Sequence, residues 1–138
     1  MISLKAHAVI DYLVGALFII SPYVFGFSEI RLARDVMVLL GAAVIAYSMI
    51  TDYPYSIIKG LSVRVHLALD VIVGLFLMVA PSLYRYRYDL TNFQYFVHFI
   101  YGLGIIAVVS LTGRAPSATA IPVLPSEERK KSEPRKVA

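Results

Sequence analysis

Two histidines and two aspartates recur at one spacing, and their side chains can ligate metals and exchange protons. His7 precedes Asp11 by four positions, and His66 precedes Asp70 by four positions at an offset of 59. The chain has only 3 histidines, so the shared register indicates a repeated element. Imidazole and carboxylate groups together can bind a divalent metal, and a histidine pair can ligate haem. The same groups can also pair with one another as a buried polar clamp.

The matching spacing extends to neighbouring positions and defines an internal repeat. The first copy aligns with the second in identity or charge at Lys5, His7, Asp11, Val14, Gly15 and Pro22, which fall on Arg64, His66, Asp70, Val73, Gly74 and Pro81. The second halves match more weakly at an offset of 61, where Gly41 aligns with Gly102 and Thr51 with Thr112. Self-similarity of this kind indicates two copies of one supersecondary unit.

The elements that position these residues are four apolar segments. Of 138 residues, 59% are hydrophobic and 16% are charged, whereas soluble domains are about 45–50% apolar and about 25% charged. Each segment approaches the ~20 residues that a helix needs to cross a bilayer. They run from about Leu4 to Phe27, Arg34 to Thr51, Arg64 to Tyr84 and Phe93 to Thr112. The sequence therefore predicts an all-α fold, an integral membrane four-helix bundle built from two parallel helical-hairpin repeats.

We expect a membrane domain over residues 1–113, with one repeat at about 4–52 and the other at about 63–112. Residues 114–138 are Pro-rich and then charged, which predicts a cytoplasmic tail. Nine Lys and Arg residues fall on the side of the termini and four on the other. This bias favours both termini in the cytoplasm, and we expect a multi-pass protein of the cell (inner) membrane. Tyrosines beside the spans are expected at headgroup depth, namely Tyr53, Tyr55, Tyr84, Tyr86 and Tyr88.

Parallel repeats place both His–Asp pairs at the same depth, on inward-facing helix surfaces. Ionisable groups within a span cost about 2.5–3.5 kcal/mol each, so they should face the bundle interior. His7 then pairs with Asp70 and His66 with Asp11 across the bundle, or each pair forms within its own helix.

Small residues predict where the helices approach closely. We expect Gly15 and Gly74 to bring the first and third helices together. Gly41, Gly102 and Gly104 are further candidates for helix packing.

The clamp is the leading interpretation of the His–Asp residues, and it requires no cofactor. A haem would need about 10 Å between His7 and His66, whereas neighbouring glycines favour closer contact. A metal site would use all four side chains. Asp11 and Asp70 could also mark an ion path. With no cysteine and no recognisable catalytic triad or phosphate loop, we expect a protein that is not an enzyme.

Proline marks the far ends of the first and third segments. Pro22 and Pro81 remove a backbone donor and clash with the preceding turn, so each should kink or end its helix. Ser21 and Tyr23 flank the first of these prolines, and Tyr23 is expected at headgroup depth.

The residues from Asp11 to Phe27 also carry a family resemblance. Asp11-x2-Val14-Gly15-x-Leu17-x3-Ser21-Pro22-Tyr23-x2-Gly26-Phe27 resembles the signature of the SPW-repeat proteins, small integral membrane proteins with two helical hairpins. The resemblance spans about residues 5–112. Tyr23 stands where that family has Trp, and Ala80-Pro81-Ser82 replaces the motif in the second copy. The resemblance implies the architecture and no particular activity.

These observations together predict a non-catalytic accessory or scaffolding subunit of a larger membrane complex. Its expected partners are the lipid bilayer and other membrane subunits or further copies of itself, with no nucleic acid. The alternative is a metal- or haem-binding membrane protein that uses the His–Asp residues between helices one and three.

Overall fold

The computed structural model describes residues 1–113 and confirms four long helices. They are α1 (Leu4–Val24), α2 (Arg31–Met49), α3 (Val63–Leu83) and α4 (Asn92–Leu111), with a short 3₁₀ turn at Tyr86–Tyr88. All four are long and apolar enough to cross a membrane. The second helix begins three residues earlier than the sequence predicted. The predicted tail at 114–138 lies outside the described residues.

Three of the helices begin at a side-chain cap. Ser3 caps α1 and Ser62 caps α3, each by accepting a hydrogen bond from the backbone N–H three residues later. These serines are also 59 residues apart, so the repeat extends to the caps. Thr91 and Gln94 form a reciprocal capping box on α4. Such caps satisfy backbone donors that a helix leaves free in its first turn.

Most of the interior contact lies within the hairpins, between α1 and α2 and between α3 and α4. A Cβ atom added at Gly15 would lie 2.9 Å from the carbonyl oxygen of Gly41, and one at Gly74 would lie 2.8 Å from that of Gly102. The glycines thus allow backbone-to-backbone packing inside each hairpin. The predicted contact of Gly15 and Gly74 between α1 and α3 was wrong, because equal depth in a repeat does not identify the neighbouring helix.

Gly104 does not serve the packing role that the sequence suggested. A Cβ atom there would have no neighbour within 4 Å among the described residues. The residue instead borders a cavity between α1 and α4.

Both prolines lie inside the last turn of their helices. Pro22 and Pro81 are buried, and each helix ends two residues beyond its proline. Tyr23, next to Pro22, is 63% exposed, which suits a ring at the edge of the bilayer.

The opposite end of the bundle, where the chain begins, is closed by short backbone contacts. The N–H of Ile2 donates to the carbonyl of Leu111 at 2.7 Å, and the N–H of Gly113 donates to Ile2 at 3.0 Å. The N–H of Asp52 donates to Leu61 at 2.7 Å. We call this the N-terminal end of the bundle. The contacts of Ile2 with Leu111 and Gly113 hold the chain around His7, and the contact of Asp52 with Leu61 holds the chain around His66.

The outer surface of the bundle is strongly apolar. Only 22–33% of each candidate span is buried inside the bundle, although the spans consist mainly of hydrophobic side chains. A water-soluble protein does not expose contiguous apolar surface on this scale. The exposed side chains therefore meet lipid, and the chain is a multi-pass membrane protein.

Candidate functional site

His7, Asp11, His66 and Asp70 meet at the centre of the bundle, near its N-terminal end. We call these four side chains the His/Asp cluster. Their exposed fractions range from 0% to 6%. The i and i+4 spacing places His7 and Asp11 on one face of α1, and the same spacing acts in α3. Because the repeats are parallel, the two faces present the same groups at the same level.

The two pairings that the sequence left open occur together. Across the bundle, His7 Nε2 lies 3.2 Å from Asp70 Oδ2, and His66 Nε2 lies 3.1 Å from Asp11 Oδ2. Within α1, His7 Nε2 lies 3.5 Å from Asp11 Oδ1, and within α3, His66 Nε2 lies 3.2 Å from Asp70 Oδ2. Each Nε2 atom thus faces both carboxylates. One atom from each of the four residues that could ligate a metal ion lies within 4.8 Å of the others.

Two threonines orient the imidazole rings from the outside. His7 Nδ1 lies 2.9 Å from Thr112 Oγ1, and His66 Nδ1 lies 2.9 Å from Thr51 Oγ1. Each threonine hydroxyl donates its proton to the backbone carbonyl four residues earlier, at 2.6–2.7 Å. The threonine oxygens must therefore accept, and both Nδ1 atoms carry a proton.

This arrangement determines what the centre of the cluster requires. With Nδ1 protonated, a neutral imidazole directs the Nε2 lone pair at carboxylate oxygens, which repel it. Either a proton on each Nε2 or a cation shared by the ligands removes that repulsion. The two carboxylates carry two negative charges. Two protonated imidazoles, or one divalent cation, would supply the two positive charges that balance them.

Two tyrosines complete the carboxylate hydrogen bonds. The Tyr47 hydroxyl of α2 donates to Asp70 Oδ1, and the Tyr53 hydroxyl donates to Asp11 Oδ2 at 3.0 Å. Tyr53 lies just beyond α2, and burial raises the pKa of its phenol above the usual range. The phenol thus stays a hydrogen-bond donor at physiological pH.

The cluster is less symmetric than its four central residues suggest. His66 packs against the rings of Tyr47 and Tyr53, with centroids 4.9 Å and 5.0 Å away. At the offset of 61, the residue equivalent to Tyr47 is Val108. A cavity lies on the corresponding side of His7.

Sequence reasoning missed the threonines and tyrosines around the cluster. Thr51 and Thr112 were visible as a match in the weaker half of the repeat, but without a role. Tyr53 was expected at the membrane interface, and this was wrong, since its side chain is 4% exposed. Tyr86 is likewise buried, whereas the tyrosines at 55, 84 and 88 are exposed. Tyr53 is drawn inward because Asp11 accepts its hydrogen bond.

The Ser-Pro motif of the first repeat lies at the far end of the bundle from the cluster. The Ser21 hydroxyl donates to the carbonyl of Leu17, so it accepts from the Tyr101 hydroxyl, 2.9 Å away. Tyr101 also stacks on Phe18, with centroids 5.2 Å apart. The motif therefore joins α1 to α4.

Comparisons with known proteins identify the family. No curated protein and no solved structure matches the chain. A family model described as the SPW repeat domain matches residues 5–113, which confirms the resemblance seen in the sequence and covers both hairpins. The protein is a member of the SPW repeat family.

Proposed function

We propose that the protein binds one zinc ion at the His/Asp cluster. The observation that carries this proposal is the convergence of two imidazole nitrogens and two carboxylates whose outer hydrogen bonds already orient them. Zinc favours four N, O or S ligands in tetrahedral geometry. The cluster offers two nitrogens and two oxygens with a total charge that one Zn²⁺ neutralises.

The distances within the cluster suit this ion. Ligands about 2.0–2.2 Å from zinc in a tetrahedron lie about 3.3–3.6 Å from one another. The shortest nitrogen–oxygen distances between each histidine and each aspartate are 3.1–3.5 Å, and they use both oxygens of Asp11. One ligand atom from each of the four residues lies within 4.8 Å of the others. Shifts of about 1 Å would therefore bring the four ligand atoms to tetrahedral spacing, with zinc in exchange for the two Nε2 protons.

The surroundings of the imidazoles support the same conclusion. Metal-ligating histidines characteristically donate their other N–H to a fixed acceptor, which sets the ring orientation. Thr51 and Thr112 are such acceptors. A haem between the same histidines does not fit, because their ring centroids are 5.5 Å apart and a porphyrin would need about 10 Å.

Metal stoichiometry tests the proposal. Protein purified in detergent and treated with chelator is titrated with ZnCl₂, and bound zinc is measured by mass spectrometry after desalting. We expect one zinc per chain and a higher melting temperature, with both effects lost in Asp70→Asn and His7→Gln. Asp35→Asn, which changes an exposed carboxylate of α2, is the matched control and should bind as the wild type does. Folded wild-type protein without stoichiometric zinc would contradict the proposal and leave the cluster as a proton-bridged clamp.

A role as an accessory or scaffolding subunit, which the sequence favoured, stays a prediction. The apolar lipid-facing surfaces of four spans support it, because they offer contact area to other helices. Purification from native membranes in mild detergent tests this role. A stable stoichiometric partner is expected, and a monomer free of partners would contradict it. The cytoplasmic location of both termini also stays a prediction, which rests on the Lys and Arg bias, as does the location of the protein in the cell membrane.

A further inference from the structure

A cavity of about 260 Å³ lies between α1 and α4, directly beside the His/Asp cluster. His7, Asp11 and Asp70 form its polar end, and Gly104 and Val108 of α4 line it as well. Tyr101 lies toward the other end. The remaining lining is apolar. The cavity thus joins an apolar chamber to both carboxylates of the cluster.

Comparison of the two repeats shows that smaller side chains border this cavity in the second hairpin than stand at the matching positions of the first. Tyr47 of α2 is the counterpart of Val108 of α4, and Ala43 is the counterpart of Gly104 at the same offset. In the first hairpin, the Tyr47 phenol reaches the cluster and donates to Asp70 Oδ1. In the second hairpin, both counterparts are smaller, so α4 sends no phenol toward Asp11.

The carboxylate of Asp11 has a matching free position. Asp70 Oδ1 accepts from Tyr47, but within residues 1–113 no hydrogen bond reaches Asp11 Oδ1, whose contact with His7 Nε2 is 3.5 Å long. Tyr53 occupies the other oxygen, Oδ2. Asp11 and Asp70 both line the cavity. Because both oxygens of Asp70 are already paired, with Tyr47 and His7, Asp11 Oδ1 is the acceptor left for a molecule in the cavity.

One part of the cavity lining lies at the outer surface of the bundle. Leu17 of α1 and Ile100 of α4 line the cavity and are 45% and 42% exposed. This part of the lining therefore borders the lipid, and it is the side from which a lipid-soluble molecule would enter.

We propose that this cavity binds the ring of a membrane-soluble phenol, whose hydroxyl donates to Asp11 Oδ1 as Tyr47 donates to Asp70. The size suits such a ring, since a dry cavity of about 150 Å³ already holds benzene. The additional volume accommodates ring substituents, and an apolar tail can leave between Leu17 and Ile100. The site stands on the asymmetry of the repeats and does not require a bound metal.

The probe for this site is p-cresol, which reproduces the tyrosine side chain, and toluene is its counterpart without the hydroxyl. Both are titrated into detergent-solubilised, chelator-treated protein, and binding is followed by NMR contacts from ring protons to the Val108 methyl groups. We expect p-cresol to bind about tenfold more tightly than toluene, because a hydrogen bond to a carboxylate adds that much affinity. Running the titration without metal separates its outcome from that of the zinc proposal.

Variants that close or copy the cavity complete the test. Val108→Tyr restores the repeat and should abolish p-cresol binding, as should Val108→Phe if the first variant does not fold. Tyr47→Val opens a second, equivalent space and should bind a second p-cresol. Equal binding of p-cresol and toluene would overturn the role of Asp11. Absence of p-cresol from the wild type, or p-cresol binding that survives both Val108 substitutions, would overturn the site itself.

Discussion

At the scale of single residues, threonines at the edge of the His/Asp cluster orient the two imidazole rings at its centre. Thr51 and Thr112 use their own protons on helix carbonyls and so become acceptors for the two Nδ1 protons. The imidazoles then have only Nε2 free for the centre. Without these two threonines, the structure would not indicate which nitrogen of each imidazole carries the proton and which faces the two carboxylates.

Removing one threonine acceptor should strand a buried imidazole N–H. We expect Thr51→Val to lower the free energy of unfolding by about 1–3 kcal/mol, the usual cost of a buried unsatisfied donor. Zinc affinity should fall about 10–100-fold, as for other groups that orient metal ligands. Chemical denaturation and zinc titration in detergent measure the two effects. Ser110→Ala is the matched control, since Ser110 makes the same hydrogen bond to a carbonyl in an exposed position, and its substitution should change neither quantity.

The pairing across the bundle should appear as an energetic coupling. His66 Nε2 and Asp11 Oδ2 are 3.1 Å apart and both are buried, so removing either deprives the other of one buried partner. In a double-mutant cycle of His66→Ala and Asp11→Ala, we expect a coupling of about 0.5–3 kcal/mol. The double variant should lose less stability than the two single variants would by addition. Strict additivity would show that the two side chains do not interact.

At the scale of helices, glycine sets the distance between the two members of each hairpin. Gly15 meets Gly41 and Gly74 meets Gly102, so the same contact recurs in both repeats. The sequence identified these four positions and their helices, but paired them wrongly. Spacing along a chain indicates depth in the bundle, whereas the identity of the neighbour depends on packing that only the assembled bundle shows.

Two glycines of α4 should respond to alanine in opposite ways. In Gly102→Ala the new Cβ would collide with the backbone carbonyl of Gly74, and we expect a loss of about 1–3 kcal/mol from overpacking. In Gly104→Ala the Cβ meets nothing within 4 Å, so stability should stay the same or rise slightly, because alanine favours helix. Thermal unfolding in one detergent compares both variants directly. Equal losses would contradict the backbone contact between α3 and α4.

At the scale of the whole molecule, two similar hairpins build one site that neither could build alone. Hydropathy and length predicted the four spans, because a bilayer imposes both on any helix that crosses it. The repeat predicted that both His–Asp pairs lie at one level. The positions of Tyr47 and Tyr53 could not be predicted, since they break the repeat and occur in the first hairpin only. That break also leaves the cavity beside Asp11, so the departures from symmetry matter as much as the symmetry does.

X-ray absorption at the zinc edge determines whether the His/Asp cluster holds zinc. The spectrum of zinc-loaded protein reports the number, type and distance of the atoms around the metal. We predict four nitrogen and oxygen ligands at about 2.0–2.2 Å, with the outer-shell scattering of two imidazole rings, and no zinc retained by His7→Gln. A six-coordinate shell without imidazole scattering, or zinc that washes away with the wild-type protein folded, would contradict the account.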